Sequence, residues 1–214
     1  MDDLPFAPSC ENNKEPILNV LRRHFIACDV APGMVPKTVS NIRPLKVLEI
    51  AGGTGQHAVY FAQHLPHLHW QSTDLSSNVD SLNIRITAAA LHNLPAARVL
   101  DVTQQDWQID AVDFIFTANS LHIMPFTAVM EFFRQTGQVL TSGGRLCVYG
   151  PFKYQGEFTS RSNAEFDLWL KSRNPLSGVR DFEALNELAS ASGLNFIEDN
   201  AMPANNQLLV WEQC

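Results

Sequence analysis

The sequence predicts an α/β fold with a mainly parallel seven-stranded sheet, helices on both faces and a C-terminal antiparallel hairpin. Three observations lead there. Short apolar runs alternate with segments whose apolar residues recur every three or four positions, which is the alternation of strands and helices in parallel sheets. A glycine-rich turn joins the first run to the next helix. Two short apolar runs close the chain. At 214 residues, 45% of them hydrophobic, the chain suits one domain with a sizeable core.

Residues 1–15 are polar and broken by Pro5 and Pro8, so they read as irregular. From Ile17 the apolar positions 17, 20, 21, 25 and 28 give a helix, with Pro16 in its first turn and Pro32, Gly33 and Pro36 beyond its end. Residues 46–51 read as a buried strand, and the glycine loop follows directly. Ala58, Phe61, Ala62 and Leu65 predict a helix that stops before Pro66. Residues 69–75 form a second strand. Ser76 or Ser77 is placed to cap a helix reaching about Asn93, and 97–102 is a third strand. Residues 112–119 are a fourth. The next helix presents Phe126, Val129, Met130, Phe133, Gly137 and Leu140 on one face, Gly143-Gly144 reads as a turn, and 145–149 is the fifth strand. Helices at about 161–172 and 181–192 precede the terminal strands 195–198 and 207–212, with Gly193 stopping the second helix.

In such sheets ligands bind beyond the carboxyl ends of the strands. The glycine loop, Gly52-Gly53-Thr54-Gly55, stands at one of these ends. Its backbone can approach a ligand closely, with free helix N–H groups behind it. Read alone it is ambiguous, because Gly53-x-Gly55-x-x-Ala58 also fits the dinucleotide fingerprint, with Asp74 near the expected ribose-binding position. Three acids favour a sulfonium cofactor. Glu49 precedes the loop, an awkward neighbour for a pyrophosphate but a favourable one for a cation. Asp74 ends the second strand, where it can accept ribose hydroxyls. Asp101, with Val102, ends the third, where it can meet an adenine.

Here the sequence resembles known proteins. VLEIAGGTG at 47–55, followed in order by Asp74, Asp101, Ala118-Asn119-Ser120 and GGRLCVYG at 143–150, is similar to the class I S-adenosylmethionine-dependent methyltransferases. The resemblance implies the Rossmann-like class I methyltransferase fold. It also implies S-adenosyl-L-methionine as cofactor and S-adenosyl-L-homocysteine as product. A narrower resemblance rests on NKEPIL at 13–18, LEIAGGTGQH at 48–57, YGPF at 149–152, SNAEFD at 162–167 and MPANN at 202–206. These resemble a methyltransferase-like family of unknown function found in bacteria and animals. That family's loop usually reads Ala-Ser-Gly-Thr-Gly; here Gly52 replaces the serine.

The expected organisation is a single domain, 1–214. It comprises an N-terminal helical lid at 1–45, a cofactor-binding core at 46–150, and substrate-side helices and terminal strands at 151–214. Expected cofactor contacts are Glu49, Ala51, Gly52, Gly53, Thr54, Gly55, His57, Asp74, Leu75, Asp101, Val102 and Asn119. Methyl transfer needs alignment above all, and a base only where the nucleophile holds its proton tightly. His122, after the fourth strand, is the candidate base, and Tyr149 the second candidate catalytic residue; core packing is the alternative for both. Tyr149 and Phe152 are placed to line an acceptor pocket. The family resemblance adds Asn13, Asn163, Asp167, Arg180, Asn205 and Asn206 as substrate contacts. The mixed polarity of this set suggests a small polar acceptor, with Arg180 facing a carboxylate.

A formal charge of −7 disfavours broad phosphate-backbone binding, so nucleic acid is not the expected partner. No His or Cys cluster has metal-ligand spacing. The four cysteines, Cys10, Cys28, Cys147 and Cys214, are scattered and read as reduced thiols of a cytoplasmic protein. No apolar run approaches the ~20 residues needed to span a bilayer. Two competing readings remain: an NAD(P)-dependent oxidoreductase, and a non-catalytic methyltransferase-fold subunit that binds a protein partner.

Overall fold

The computed structural model describes residues 4–26 and 43–214. It contains helices α1 (Pro8–His24), α2 (Gln56–His64), α3 (Ser76–Ala89), α4 (Phe126–Val139), α5 (Arg161–Arg173) and α6 (Phe182–Ala191). The main sheet contains β1 (Leu45–Ile50), β2 (Leu68–Asp74), β3 (Arg98–Val99), β4 (Val112–Ala118), β5 (Leu140–Gly150), β9 (Leu194–Met202) and β10 (Asn206–Gln213). Their order is β3-β2-β1-β4-β5-β10-β9, and β10 runs antiparallel to both of its neighbours while the β1–β5 pairs are parallel. This is the predicted architecture. Both faces of the central strands are buried, so the middle of β4, Phe114-Ile115-Phe116, is continuously apolar rather than alternating. Phe114 and Phe116 point into a core with Phe61, Trp70 and α1, while Ile115 points into the other, with Phe132, Phe133 and Trp211.

The structure differs from the sequence reading at several places. The first helix begins at Pro8, so residues 8–15 are helical and Pro16 lies inside the helix. Pro8 stands in the first turn, where its missing N–H is harmless. The interior proline is tolerated because Ile17, Leu18 and Leu21 are buried in the core, and tertiary packing outweighs one lost backbone bond. The expected stop at Pro32–Pro36 lies outside the described residues. Strand β3 is only Arg98–Val99; α3 ends at Ala89, and its N-cap is Leu75, so neither Ser76 nor Ser77 caps it. Asn93 instead anchors the following turn, donating to the carbonyls of Ala62 and Leu68 at 2.9 and 3.0 Å.

Helix α4 runs directly into β5, and Gly143-Gly144 lies inside that strand rather than in a turn. The β4–β5 register slips between Val112 and Phe114, and a Cβ on Gly144 would stand 2.7 Å from the Asp113 carbonyl oxygen. The pair is needed for close strand approach at a bulge. On α4 the buried face is rotated from the expected one. Phe126 and Met130 are exposed, while Ala128, Phe132 and Thr136 are buried. A second small sheet, β7-β6-β8, was not expected. Its strands β6 (Phe152–Tyr154), β7 (Glu157–Phe158) and β8 (Arg180–Asp181) are too short to carry a periodic signal.

No helix among the described residues is long and apolar enough to cross a membrane. Cys10, Cys147 and Cys214 are free thiols; Cys28 lies outside the described residues.

Candidate active site

The glycine loop is shaped by the strand that precedes it. β1 ends at Ile50, and Ala51, Gly53 and Gly55 then take positive φ values of 59°, 57° and 74°. Glycine adopts this region freely; alanine does so under strain, which is common at ligand sites. The Gly52 N–H donates to the Thr73 carbonyl at 2.9 Å, and the Gly53 N–H to Asp74 Oδ2 at 2.7 Å. Asp74 also accepts from the Leu75 N–H and from Asn78. The carboxylate that ends β2 therefore holds the loop in place.

A cavity of about 520 Å³ opens above this loop. Such a volume is in the range of small-ligand sites. Its walls are the carboxyl ends of β1, β2 and β4, the segment after β3, and the turn before α4. Ala51, Gly52, Gly53, Thr54, His57, Asp74, Leu75, Asp101, Val102 and Asn119 line it, ten of the positions expected from the sequence to contact a cofactor. Ile50, Leu100, Ile123, Met124 and Ala128 supply apolar surface. Asp101 uses Oδ1 to accept from the N–H and hydroxyl of Thr103, at 2.9 and 2.8 Å. Asn119 sits in the left-handed region at φ 56°, anchored by its N–H to the Tyr149 carbonyl.

Two expected contacts do not line the cavity. Gly55 caps α2 behind the loop. Glu49 lies beneath the loop, 2% exposed, with Trp70 Nε1 donating to its Oε2 at 3.0 Å. Burial pushes its carboxyl up to about 7. A carboxyl so placed is partly protonated at neutral pH. Glu49 therefore repels a pyrophosphate less than a full negative charge would.

Part of the wall escaped the sequence reading. Ala7, Ser9 and Cys10, at the start of α1, close one side of the cavity. This segment is strapped to the loop. The Ala7 N–H donates to Gln56 Oε1 at 2.6 Å and Gln56 Nε2 to Glu11 at 2.9 Å. Arg85 bridges the Thr54 and Pro5 carbonyls. The signal was hidden because its partners lie 45 or more residues away.

His57 is buried in the first turn of α2, and Asn13 Oδ1 lies 2.7 Å from its Nε2. Its ring stacks on Phe61 and meets Phe116 edge-on. Burial pushes its pKa down to about 4, so it is neutral across the physiological range. The Tyr149 phenol, behind this pair, is buried and faces the side chains of Asn13 and Asn206; burial raises its pKa. His122 is buried outside the cavity wall, edge-on to Phe166, and burial followed by the nearby Arg180 lowers its pKa to about 4.

The residues beyond β5 are placed differently. Phe152 is buried in the core. Asn163 donates to the Asn205 carbonyl and to Thr159 at 2.9 and 2.8 Å, and the Asn205 side chain reaches Ser162. Asp167 accepts from the Val179 N–H at 2.8 Å and pairs with Lys171 at 2.7 Å. Arg180 donates to the carbonyls of Leu121, Met124 and Leu176. None of Phe152, Asn163, Asp167, Arg180, Asn205 and Asn206 lines the cavity. Among the described residues no group of three or more His, Cys, Asp or Glu side chains could hold a metal ion.

The fold is shared with solved methyltransferases. An O-methyltransferase family protein from Burkholderia thailandensis matches with a TM-score of 0.72 at 16% identity, covering 94% of this chain and 56% of that one. The mitomycin 7-O-methyltransferase MmcR matches at 0.69 and 16%, covering 80% and 49%. Human N-acetylserotonin methyltransferase, solved in complex with SAM, matches at 0.65 and 14%, covering 78% and 47%. The chain thus spans about half the length of these solved proteins. Residues 4–213 match the model of the protein family of unknown function DUF938, and the chain belongs to that family.

Proposed function

We propose that this protein is an S-adenosyl-L-methionine-dependent methyltransferase acting on a small, polar acceptor. The carrying observation is the cavity above the glycine loop, with Asp74 bonded to the Gly53 N–H at 2.7 Å and Asp101 at the far rim. The residues suit the cofactor. A Cβ on Gly53 would meet nothing within 4 Å, so the backbone there faces open space. With the Gly53 N–H, the Leu75 N–H and Asn78 already donating to Asp74, one acceptor site of its carboxylate remains for a ribose hydroxyl. Leu100, Val102 and Met124 offer apolar surface to an adenine, and Asp101 stands beside them for its amino group. Asn119, Cys10 and His57 border the remaining volume, where the methionine end and the acceptor would meet.

The cofactor supplies a methyl carbon activated by sulfonium. The protein's part is to align the acceptor with it and to keep water out. The strap at residues 5–11 serves the second task. The fold neighbours that are solved methyltransferases, one with SAM bound, support this reading over a nicotinamide enzyme.

Thermal denaturation with added ligand tests it. S-adenosylhomocysteine at one hundred times its Kd stabilises by about 2.7 kcal/mol. Asp74→Ala removes both the ribose acceptor and the loop anchor, so the expected loss is at least 100-fold in affinity, about 3 kcal/mol. Stabilisation by NAD(P) and not by S-adenosylhomocysteine would overturn the reading.

A further inference from the structure

The partner of His57 fixes the orientation and tautomer of its ring. An amide oxygen only accepts, so Asn13 Oδ1, 2.7 Å away, requires the proton of the neutral imidazole on Nε2. The Asn13 amide nitrogen is left for the Tyr149 phenol, which faces that side chain. Nδ1 is then the bare, accepting nitrogen. It has no hydrogen-bond partner among the described residues, whereas the Nε2 edge is occupied. His57 lines the cavity, and its ring is fixed in plane by Phe61, 5.3 Å away at 9°, and by Phe116, 6.0 Å away at 85°. Two other elements hold the ring directly, α1 through Asn13 and β4 through Phe116, while Phe61 of its own helix stacks on it and Tyr149 of β5 stands behind Asn13.

We infer that His57 is the acceptor-binding residue of this site, its Nδ1 taking a hydrogen bond from the O–H or N–H group that receives the methyl. This rests on the methyltransferase reading above. As the nucleophile's lone pair forms the bond to the methyl carbon, the C–S bond pair departs onto sulfur and leaves a neutral thioether. The nucleophile's proton becomes strongly acidic as that bond forms, so a weak base is sufficient. It passes to Nδ1 and from the imidazolium to water. Acceptors without such a proton leave Nδ1 unpaired in the cavity, so the site selects hydrogen-bond donors. His122, outside the cavity wall, takes no part.

Two cofactor-site ligands separate this role from simple cofactor contact. Sinefungin carries an ammonium group at the place of the sulfonium methyl; S-adenosylhomocysteine carries nothing there. Calorimetry on the wild-type protein should show sinefungin binding at least ten-fold tighter. In His57→Phe, which retains the stacking on Phe61, that margin should fall to near unity with the S-adenosylhomocysteine Kd unchanged. His57→Gln, which offers an amide oxygen, should recover part of it. A wild-type measurement guards against misfolded variants: the ¹⁵N resonance of His57 Nδ1 should shift with sinefungin and not with S-adenosylhomocysteine. Equal weakening of both ligands in His57→Phe would assign the ring to the methionine end instead, and an unmoved margin or resonance would remove it from the site. Failure of both ligands to bind the wild-type protein would be a failure of the methyltransferase reading, recognisable before any variant is made.

Discussion

At the carboxyl ends of β1, β2 and β4, polar groups border open volume: Asp74, Asp101, Asn119 and His57 all line the cavity. Past β5, residues of the same types are tied to protein. Asn163, Asp167 and Arg180 spend their donors and acceptors on Asn205, Val179, Leu121, Met124 and Leu176. Both groups sit near the same edge of the fold. What separates them is whether the residues border the cavity or are enclosed by other protein groups, because buried polar groups must find partners. The first group borders the space for a ligand; the second holds together the structure behind the cavity wall.

Glu49 is the exception on the loop side, and it gives the largest test. Its carboxyl is raised to about 7 by burial, above its ordinary 4.5. The folded protein therefore retains a proton that the unfolded chain releases. Its contribution is fully present below about pH 4.5 and is lost as pH rises through 7, a fall of roughly 3 kcal/mol. Glu49→Gln should flatten this slope. Urea denaturation at pH 5 and pH 8 measures it. A wild-type protein with no such slope would mean that Glu49 is ionised when folded, and would put a charge back beneath the loop.

The contrast also explains what the sequence could convey. The alternation of strands and helices, the mainly parallel sheet with its terminal antiparallel pair and the turn after β1 were legible, because each depends on a local pattern in or next to a strand. The start of α1 was not, since two prolines and a polar stretch look irregular until Gln56 and the core are brought against them. Nor was the fate of Arg180. A guanidinium facing a ligand carboxylate and one facing three carbonyls have the same sequence signature. His122 belongs to this class too: its position after β4 suggested a base, while its side chain packs against Phe166.

Arg180→Met probes the wall directly. It removes donors from three carbonyls, two of which belong to the segment that contributes Ile123 and Met124 to the cavity. Hydrogen bonds from a charged group put the expected loss at about 2 kcal/mol of folding stability. The S-adenosylhomocysteine Kd should change less than three-fold. A variant that keeps its stability and loses affinity for a carboxylate-bearing acceptor would move Arg180 from the wall to the site and erase the distinction between the two regions.

The smallest expected effect lies at the loop itself. At Gly52 the space for a side chain is taken. A Cβ on Gly52 would fall 2.2 Å from Ser72 Oγ and 3.2 Å from Leu82 Cδ2. Ser72 is fully buried on β2. Its hydroxyl and a side chain at 52 therefore compete for one volume. Gly52→Ser should cost about 1 kcal/mol, since a short side chain must turn aside or the loop must shift. Ser72→Ala clears the volume, so the double variant should recover most of that loss, a coupling expected only between residues in contact. Additive effects would mean that the loop moves to accept the serine, and the open loop region would then be less rigid than the wall across from it.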